Sequence, residues 1–462
     1  MEAARKNVCV QGLGFVGAAM SLAIADASDK YGEPLYEVCG IDLPSQEGLR
    51  RIEAVNAGMF PFETSDSDLV RAAERAKMRG NLKATSDSSV MQEADVVVSD
   101  VNLDVSYDAQ GEPFLDLSVY EKAVRAIGEH IKPGALVLVE TTVPPGTCQK
   151  VVVPIIDAEL EKRGIGKGSV LVAHSYERVM PGSDYLDSIV NYWRVYSGTT
   201  EAAADACGAF LETIINTQEY PLTRLGSTTA SETAKVLENS YRATTIAFIE
   251  EWSKFSESVG VDLYEVVDAI RMRPTHSNMR TPGFGVGGYC LTKDPLFAFL
   301  AAKDLWCLKG QDFPFSTAAV RTNNASPLRA LDAVRDGLGG SLSGKRVLLC
   351  GVSYRQDVGD TRHSPSEVFA RQALSEGADL RCCDPLVDFW EELELPVERE
   401  VPKGTFDAIV FAVPHKEFEE VDVEGWLEGA HPFVLDAFDV LTSAQREAFL
   451  RAGCVVKFIG RG

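Results

Sequence analysis

Short apolar runs alternate with amphipathic stretches along most of the chain, which is how strands and helices look when they are laid down in βα succession. The spacing predicts strands over 7–11, 36–41, 94–100, 135–140, 170–173 and 193–197, with helices over 18–27, 118–130, 148–163 and 201–211 between them. Strands that alternate with helices pair in parallel, so this half is expected to be a doubly wound sheet with ligands beyond the carboxyl ends of its strands. The pattern then changes. From 228 to 259 neither Gly nor Pro interrupts, and Ala234, Leu237, Tyr241, Thr244, Phe248, Trp252 and Phe255 recur at helical spacing. Roughly thirty residues make a helix of about 45 Å, longer than one domain is wide, so it is expected to join two domains and to pair with a partner chain. Lys235 and Asn239 lie four apart on one face of it, where a solvated polar stripe is the ordinary reading.

A short helix over 264–271 leads into a Gly-rich loop. A second strand set follows at 345–351, 379–383, 406–413 and, as its last member, 433–436, with a helix over 366–376. The acidic run 388–400 reads as solvated surface. The expected fold class is therefore α/β: two Rossmann-like doubly wound domains joined by a long central helix and a helical middle domain. The expected division is 1–222, 223–330 and 331–462.

Composition narrows the function classes. The 462 residues are 45% hydrophobic and 24% charged, ordinary for globular domains of this number. Lys plus Arg is 45 against 68 for Asp plus Glu, and the resulting net charge of −23 argues against a nucleic-acid or acidic-membrane surface. Ten cysteines are spread without metal-ligand spacing, as reduced core residues are, and no metal site is expected. No apolar run reaches membrane-spanning length, and residues 1–6 lead straight into a strand with no room for a signal peptide. The expected location is cytoplasmic.

Three stretches carry candidate chemistry. Gly12-Leu13-Gly14-Phe15-Val16-Gly17 stands between a strand and a helix; Gly12 suits a tight turn, Gly14 the approach of a pyrophosphate, and Gly17 close helix packing. Asp42, at the end of the second strand, can accept from a ribose diol and repel a 2′-phosphate, which favours NAD over NADP. Thr141 to Thr147 crosses from strand to helix, with Thr142 at the same sheet edge as Asp42, and Thr147 either caps the helix or positions a water. Glu177 follows a strand and is either a general base or the ion-pair partner of Arg178. In Gly283-Phe284-Gly285-Val286-Gly287-Gly288-Tyr289-Cys290-Leu291-Thr292-Lys293-Asp294, Cys290 is either a buried turn residue or a thiol exposed beside a cation and a carboxylate. Arg355 and Arg362 sit in a polar loop after the strand at 345–351, and arginine suits bidentate phosphate contacts.

Together these motifs resemble the UDP-glucose/GDP-mannose dehydrogenase family along essentially the whole chain. The Rossmann fingerprint is matched at Gly12, Gly14 and Gly17, the S-T-V-P-P-G-T stretch at Thr141 to Thr147, and the E-x-x-K-x-x-x-N helix at Glu232, Lys235 and Asn239. The G-x-G-G-x-C-x-x-K-D loop is matched at Gly285, Gly287, Gly288, Cys290, Lys293 and Asp294, and the distal loop appears as Tyr354 to Pro365. Thr292 stands where relatives usually have Pro, Ser175-Tyr176 precedes Glu177 where Pro is common, and Val101 to Asp104 replaces the usual V-P-T-P. The run Glu177 to Gly182 looks more like the branch oxidising UDP-N-acetylhexosamines than the glucose branch.

The resemblance implies a four-electron oxidation of a sugar C6 alcohol to a carboxylate, with two NAD reduced in turn. Lys235, Asn239 and Asp294 would surround a water and stabilise the alkoxide. Cys290 would add to the aldehyde, giving a thiohemiacetal and then a thioester, with Lys293 or Lys235 favouring the thiolate. Glu177, with Thr142 holding the water, would drive hydrolysis. It also implies cofactor contacts from Phe15, Val16, Lys293 and Arg362, and substrate contacts from Arg178, Phe284, Gly287, Tyr354 and Arg355. A homodimer through the long helix is implied, with Arg273, His276 or Arg280 reaching the neighbouring subunit. Competing readings are UDP-glucose as substrate, a two-electron hydroxyacid-type dehydrogenase with no need of Cys290, and a non-catalytic nucleotide-sugar sensor.

Overall fold

The computed structural model describes residues 5–178, 182 and 184–462; Val179, Met180 and Pro181 of the run after Glu177 lie outside the described residues. Chain contacts define two units. Met1–Leu237 with Phe297–Asp312 makes the first, and Glu238–Leu296 with Phe313–Gly462 the second.

In the first unit eight strands form one sheet: β1 (Lys6–Gln11), β2 (Tyr36–Ile41), β3 (Leu82–Thr85), β4 (Val96–Ser99), β5 (Leu136–Val139), β6 (Leu171–Tyr176), β7 (Val195–Gly198) and β8 (Thr223–Arg224). Their order is β8-β7-β6-β5-β4-β1-β2-β3, so the order reverses between β1 and β4, both parallel and hydrogen-bonded to each other. A crevice opens at such a reversal, and ligands of doubly wound sheets bind there. Val8, Val10, Met20, Ile24, Val98 and Leu138 fill the core behind it. The expected parallel run holds from β3 to β6 and breaks at β7, which is antiparallel to β6 with Tyr176 opposite Val195. Among the described residues of that connection the one helix is the short Tyr185–Val190, and a turn back alongside β6 needs no crossover helix.

The expected helix over 148–163 begins with a π-helical stretch, Cys148–Val152, before the α-helix Val153–Lys162. Pro154 has no N–H to give, and widening the ladder ahead of it accommodates that loss. β6 runs three residues past its expected end because His174, Ser175 and Tyr176 are all buried.

The second unit holds five parallel strands: β9 (Arg346–Cys350), β10 (Asp379–Cys383), β11 (Ala408–Phe411), β12 (Phe433–Asp436) and β13 (Val455–Phe458), in the order β10-β9-β11-β12-β13. The strand at 433–436 is therefore not the last. β13 closes the edge; its exposed Val455 and Lys457 leave too weak an apolar run to announce it. The helix Pro314–Gly337 was not anticipated from the periodicity; Pro327, which it contains, ordinarily breaks one. The acidic run is only partly solvated surface, since it contains a hairpin pairing Phe389–Trp390 with Leu395–Pro396. Trp390 is fully buried and joins Val397 in the core, an apolar load that outweighs the flanking charges.

The long helix spans Thr228–Val259, as the spacing predicts, but its faces are used the other way round. Ser231, Glu232, Lys235 and Asn239 are buried, whereas Leu237, Tyr241, Phe248, Trp252, Phe255 and Val259 are exposed. Trp390→Ala should destabilise the second unit by about 3–5 kcal/mol, read as an earlier unfolding transition in denaturant.

Candidate active site

The loop after β1 has the geometry its glycines suggest. Gly12 takes φ +95°, and a Cβ there would meet the Asp100 carbonyl oxygen at 2.8 Å; a Cβ on Gly17 would come within 1.9 Å of the Gly12 oxygen. Gly14 stands at the N-cap of the helix Phe15–Asp26 with open space around it, and among the described residues no side chain caps that helix and no acid lies in its first turn. The first N–H groups are thus left to an anion such as a pyrophosphate. The Phe15 ring packs on Phe60, Phe62 and Tyr185, so its contribution at this loop is its backbone. Asp42 follows β2 on the same sheet edge; Oδ1 accepts from the Leu43 N–H at 2.7 Å and Oδ2 meets Arg51 at 3.3 Å.

Four buried groups of the long helix meet the first unit's loops or the second unit's own residues, one by one. Glu232 accepts from the Gly146 N–H at 2.5 Å and the Cys148 N–H at 2.8 Å, which fixes the turn that follows Thr142. Trp306 holds the same turn by donating to the Pro145 carbonyl at 2.7 Å, and its ring fills the space a Cβ on Gly146 would need. Thr147 does not cap the helix with its side chain; its hydroxyl donates to the Pro144 carbonyl at 2.6 Å. Ser231 binds His174 Nδ1 at 2.7 Å and Ser197 at 2.6 Å. Burial, helped by the charge of Lys235, pushes His174 down to about 3, so its imidazole is neutral.

Lys235 donates to the Glu177 carbonyl at 2.8 Å and lies 3.7 Å from the Glu177 carboxylate, over the Tyr176 ring. Glu177 thus meets the lysine of the long helix, while Arg178 reaches the Tyr176 hydroxyl and the Trp193 carbonyl. Thr142 is half-buried at the same edge.

Within the second unit, Asn239 Nδ2 donates to Asp294 Oδ2 at 2.7 Å, and Lys293 Nζ meets Asp294 Oδ1 at 2.7 Å. All three are buried, so a carboxylate taken out of water is compensated by an amide and an ammonium. The Asp294 N–H returns to the Cys290 carbonyl at 2.9 Å, which puts Cys290 at the head of the same turn. Among the described cysteines, Cys290 and Cys307 are exposed and the rest buried, so the buried-turn reading of Cys290 fails. The glycines before it have a packing reason besides ligand approach: a Cβ on Gly287 would meet Pro365 at 2.7 Å and Tyr354 at 2.8 Å. The Cys290 loop is thereby laid on the loop after β9.

That second loop lines a cavity of about 270 Å³ with Phe284, Ser353, Tyr354, Arg355, Val413 and Phe438. It opens where β9 and β11 diverge, the reversal point of the second sheet. Arg355 is exposed at its wall, whereas Arg362 forms a bidentate pair with Asp360 at 2.9 and 2.6 Å. Burial, then the Asp360 charge, pushes Tyr354 up to about 12. Of the three residues proposed to reach a neighbour, Arg273 is exposed and His276 and Arg280 are half-buried.

Sequence reasoning missed Asp384. It ends β10 as Asp42 ends β2, but it is fully buried and accepts from the Val352 and Ser353 N–H groups at 2.9 and 3.0 Å and from the Ser353 hydroxyl at 2.7 Å. Burial alone would push it up; the hydrogen bond and charge of His415 and these N–H groups hold it below the usual carboxylate range. The signal was available: an Asp-Pro at the end of a second strand. Asp357, His415 and Glu417 also bring ligating atoms within 4.8 Å of one another, but His415 already contacts Asp384 and Ser353, and Asp357 pairs with Lys416. Glu232→Ala would strand the Gly146 and Cys148 N–H groups. Unfolding free energy of the first unit should fall by about 2 kcal/mol or more in thermal or denaturant melts.

Comparison with known proteins agrees with this geometry. Residues 6–215, 229–325 and 348–443 match, in turn, the NAD binding domain, the central domain and the UDP binding domain of the UDP-glucose/GDP-mannose dehydrogenase family. A UDP-N-acetyl-D-mannosamine dehydrogenase of Methanocaldococcus jannaschii is 27% identical over 99% of this chain and 97% of its own. An NDP-N-acetyl-D-galactosaminuronic acid dehydrogenase of Ralstonia nicotianae is 27% identical over 91% and 93%. Among solved structures, the UDP-D-ManNAc dehydrogenase of Pyrococcus horikoshii superposes with a TM-score of 0.81 at 26% identity, covering 99% of both chains. The glycine loop, the thiol at the head of a charged turn and the second nucleotide crevice thus fall in the three matched domains in order, and the chain belongs to the UDP-glucose/GDP-mannose dehydrogenase family, whose members are NAD-dependent nucleotide-sugar dehydrogenases.

Proposed function

We propose that this chain oxidises the C6 alcohol of a UDP-N-acetylhexosamine to the carboxylate in two two-electron steps. The observation that carries the reading is the buried Asn239–Asp294–Lys293 arrangement with exposed Cys290 at the head of its turn. The choice of an N-acetylhexosamine is supported by the names of the relatives in Methanocaldococcus and Ralstonia, and that of UDP by the matched UDP binding domain.

NAD, held by the Gly12–Gly17 loop and Asp42, supplies a hydride acceptor for each step. The chain's own residues do the rest. Lys235, Asn239 and Asp294 bind a water that takes the alcohol proton, and the N–H groups of Lys235 and Asn239 stabilise the alkoxide. The aldehyde carbon has no sp³ C–H alcohol to oxidise until a nucleophile adds. The Cys290 sulfur bonds to that carbon and the carbonyl oxygen takes a proton, giving a thiohemiacetal whose loss of hydride and proton leaves a thioester. Glu177 then removes a proton from a water held by Thr142. The water oxygen bonds to the acyl carbon, the carbon–sulfur bond breaks, and the thiolate is restored. Arg355 at the wall of the second-unit cavity holds the diphosphate, Phe284 and Tyr354 line the substrate's path there, and Gly287 packs against Tyr354.

We also infer a homodimer through the long helix. Leu237, Tyr241, Phe248, Trp252, Phe255 and Val259 are all exposed and fall within about 60° of arc on a 3.6-residue helix. An aromatic and aliphatic stripe of this length marks an association surface.

Purified enzyme given UDP-N-acetylglucosamine, UDP-N-acetylmannosamine, UDP-glucose or GDP-mannose should form two NADH per sugar with one of the first two. Cys290→Ser should cut acid formation on the order of 10³-fold or more while the protein still binds NADH. One NADH per sugar would return the reading to a two-electron dehydrogenase, and none with any sugar to a sensor. Trp252→Glu should convert dimer to monomer in light scattering; an unchanged mass would remove the helix from the interface.

A further inference from the structure

At the reversal point of the first sheet, two carboxyl groups meet with one cation between them. Asp100 follows β4 and Glu140 follows β5, each one residue past the paired Ser99 and Val139, so the two carboxyls are neighbours at the ends of adjacent strands. Glu140 Oε1 accepts from Arg194 Nη1, in the residue before β7. The antiparallel entry of β7 at the end of β6 brings that arginine across to the same edge. All three are over nine-tenths buried, and Asp100 Oδ2 and Glu140 Oε2 find no donor in the surrounding protein among the described residues. Two carboxylate oxygens cannot satisfy each other unless one carries a hydrogen.

The groups that face Asp100 are Glu140, Glu177 and Arg194. Three acids against one guanidinium and the Lys235 ammonium beside Glu177 leave excess negative charge in a buried place, beside a loop built to receive a pyrophosphate. The Asp100 backbone is part of that loop's wall, since a Cβ on Gly12 would strike its carbonyl and one on Gly17 would come within 3.1 Å of its Cβ.

We propose that Asp100 is a positioning residue that keeps its proton and donates it to Glu140, so that the chain Asp100–Glu140–Arg194 locks the carboxyl ends of β4 and β5 to the amino end of β7 beneath the cofactor loop. Held this way, Asp100 closes the chain of donors and acceptors and adds no charge under the bound diphosphate. Burial, then the Glu140 and Glu177 charges, pushes its carboxyl well above the usual range, which agrees with the geometry. The proposal concerns the cofactor domain and does not depend on which sugar the enzyme takes.

Asp100→Asn keeps a donor facing Glu140 and removes the titration. Because the folded protein holds the proton and the unfolded chain releases it above about pH 4, wild-type stability falls with rising pH until the folded group itself ionises. The expected result is that Asp100→Asn gains on wild type as pH rises from 5 to 8, by up to tenfold in the folding equilibrium per pH unit. Infrared difference spectra between the two at pH 8 should show a protonated-carboxyl carbonyl band in wild type alone. NADH binding by fluorescence titration should stay within about twofold for Asp100→Asn and weaken at least tenfold for Asp100→Ala. A stability gap constant with pH, or the absence of the carbonyl band, would overturn the proposal even if Asp100→Ala fails to fold.

Discussion

A polar side chain buried on a helix must be met by a partner, and the helix Thr228–Val259 imposes that demand four times on one face. Ser231 takes His174, Glu232 takes the Gly146 and Cys148 N–H groups, Lys235 takes the Glu177 carbonyl, and Asn239 takes Asp294. Each unmet group would cost about 1–3 kcal/mol, more for the charged ones. The loops after β5 and β6 and the turn headed by Cys290 therefore have little freedom except to lie where these partners put them.

The two sheets solve the same problem with different means. Each opens a crevice where its strand order reverses, and each ends its second strand in an aspartate. Asp42 stands at the edge of the first crevice, where a ligand hydroxyl can reach it. Asp384 is drawn inside and spends its acceptors on backbone N–H groups of the loop carrying Tyr354 and Arg355. The first aspartate is left open at its crevice; the second shapes a loop.

The fold was legible where local pattern and tertiary role coincide. The glycine loop, the long uninterrupted helix and most core strands could be read from period and punctuation. What could not be read was which face of the helix is inside. Lys235 and Asn239 look solvated by composition, and only partners distant in sequence, Glu177 and Asp294, make their burial tolerable. Trp390 was hidden for the converse reason, since the charges around it dominate any local average. The motif resemblance supplied the roles proposed for Cys290 and Asp294, but the Asp100–Glu140–Arg194 chain has no local signature at all, because strand order alone brings its members together.

The division of the chain has a consequence for how such an enzyme can be taken apart or recombined. The polypeptide passes between the two units three times, after Leu237, after Leu296 and after Asp312. Phe297–Asp312 belongs with the first unit and carries Trp306, which clamps the turn after Thr142. A single cut in the backbone therefore cannot release a complete cofactor-binding half. Exchange of sugar-binding halves between relatives by one crossover would leave that clamp to be supplied by the other parent, so specificity in this chain is expected to change by substitution within loops more readily than by shuffling of domains.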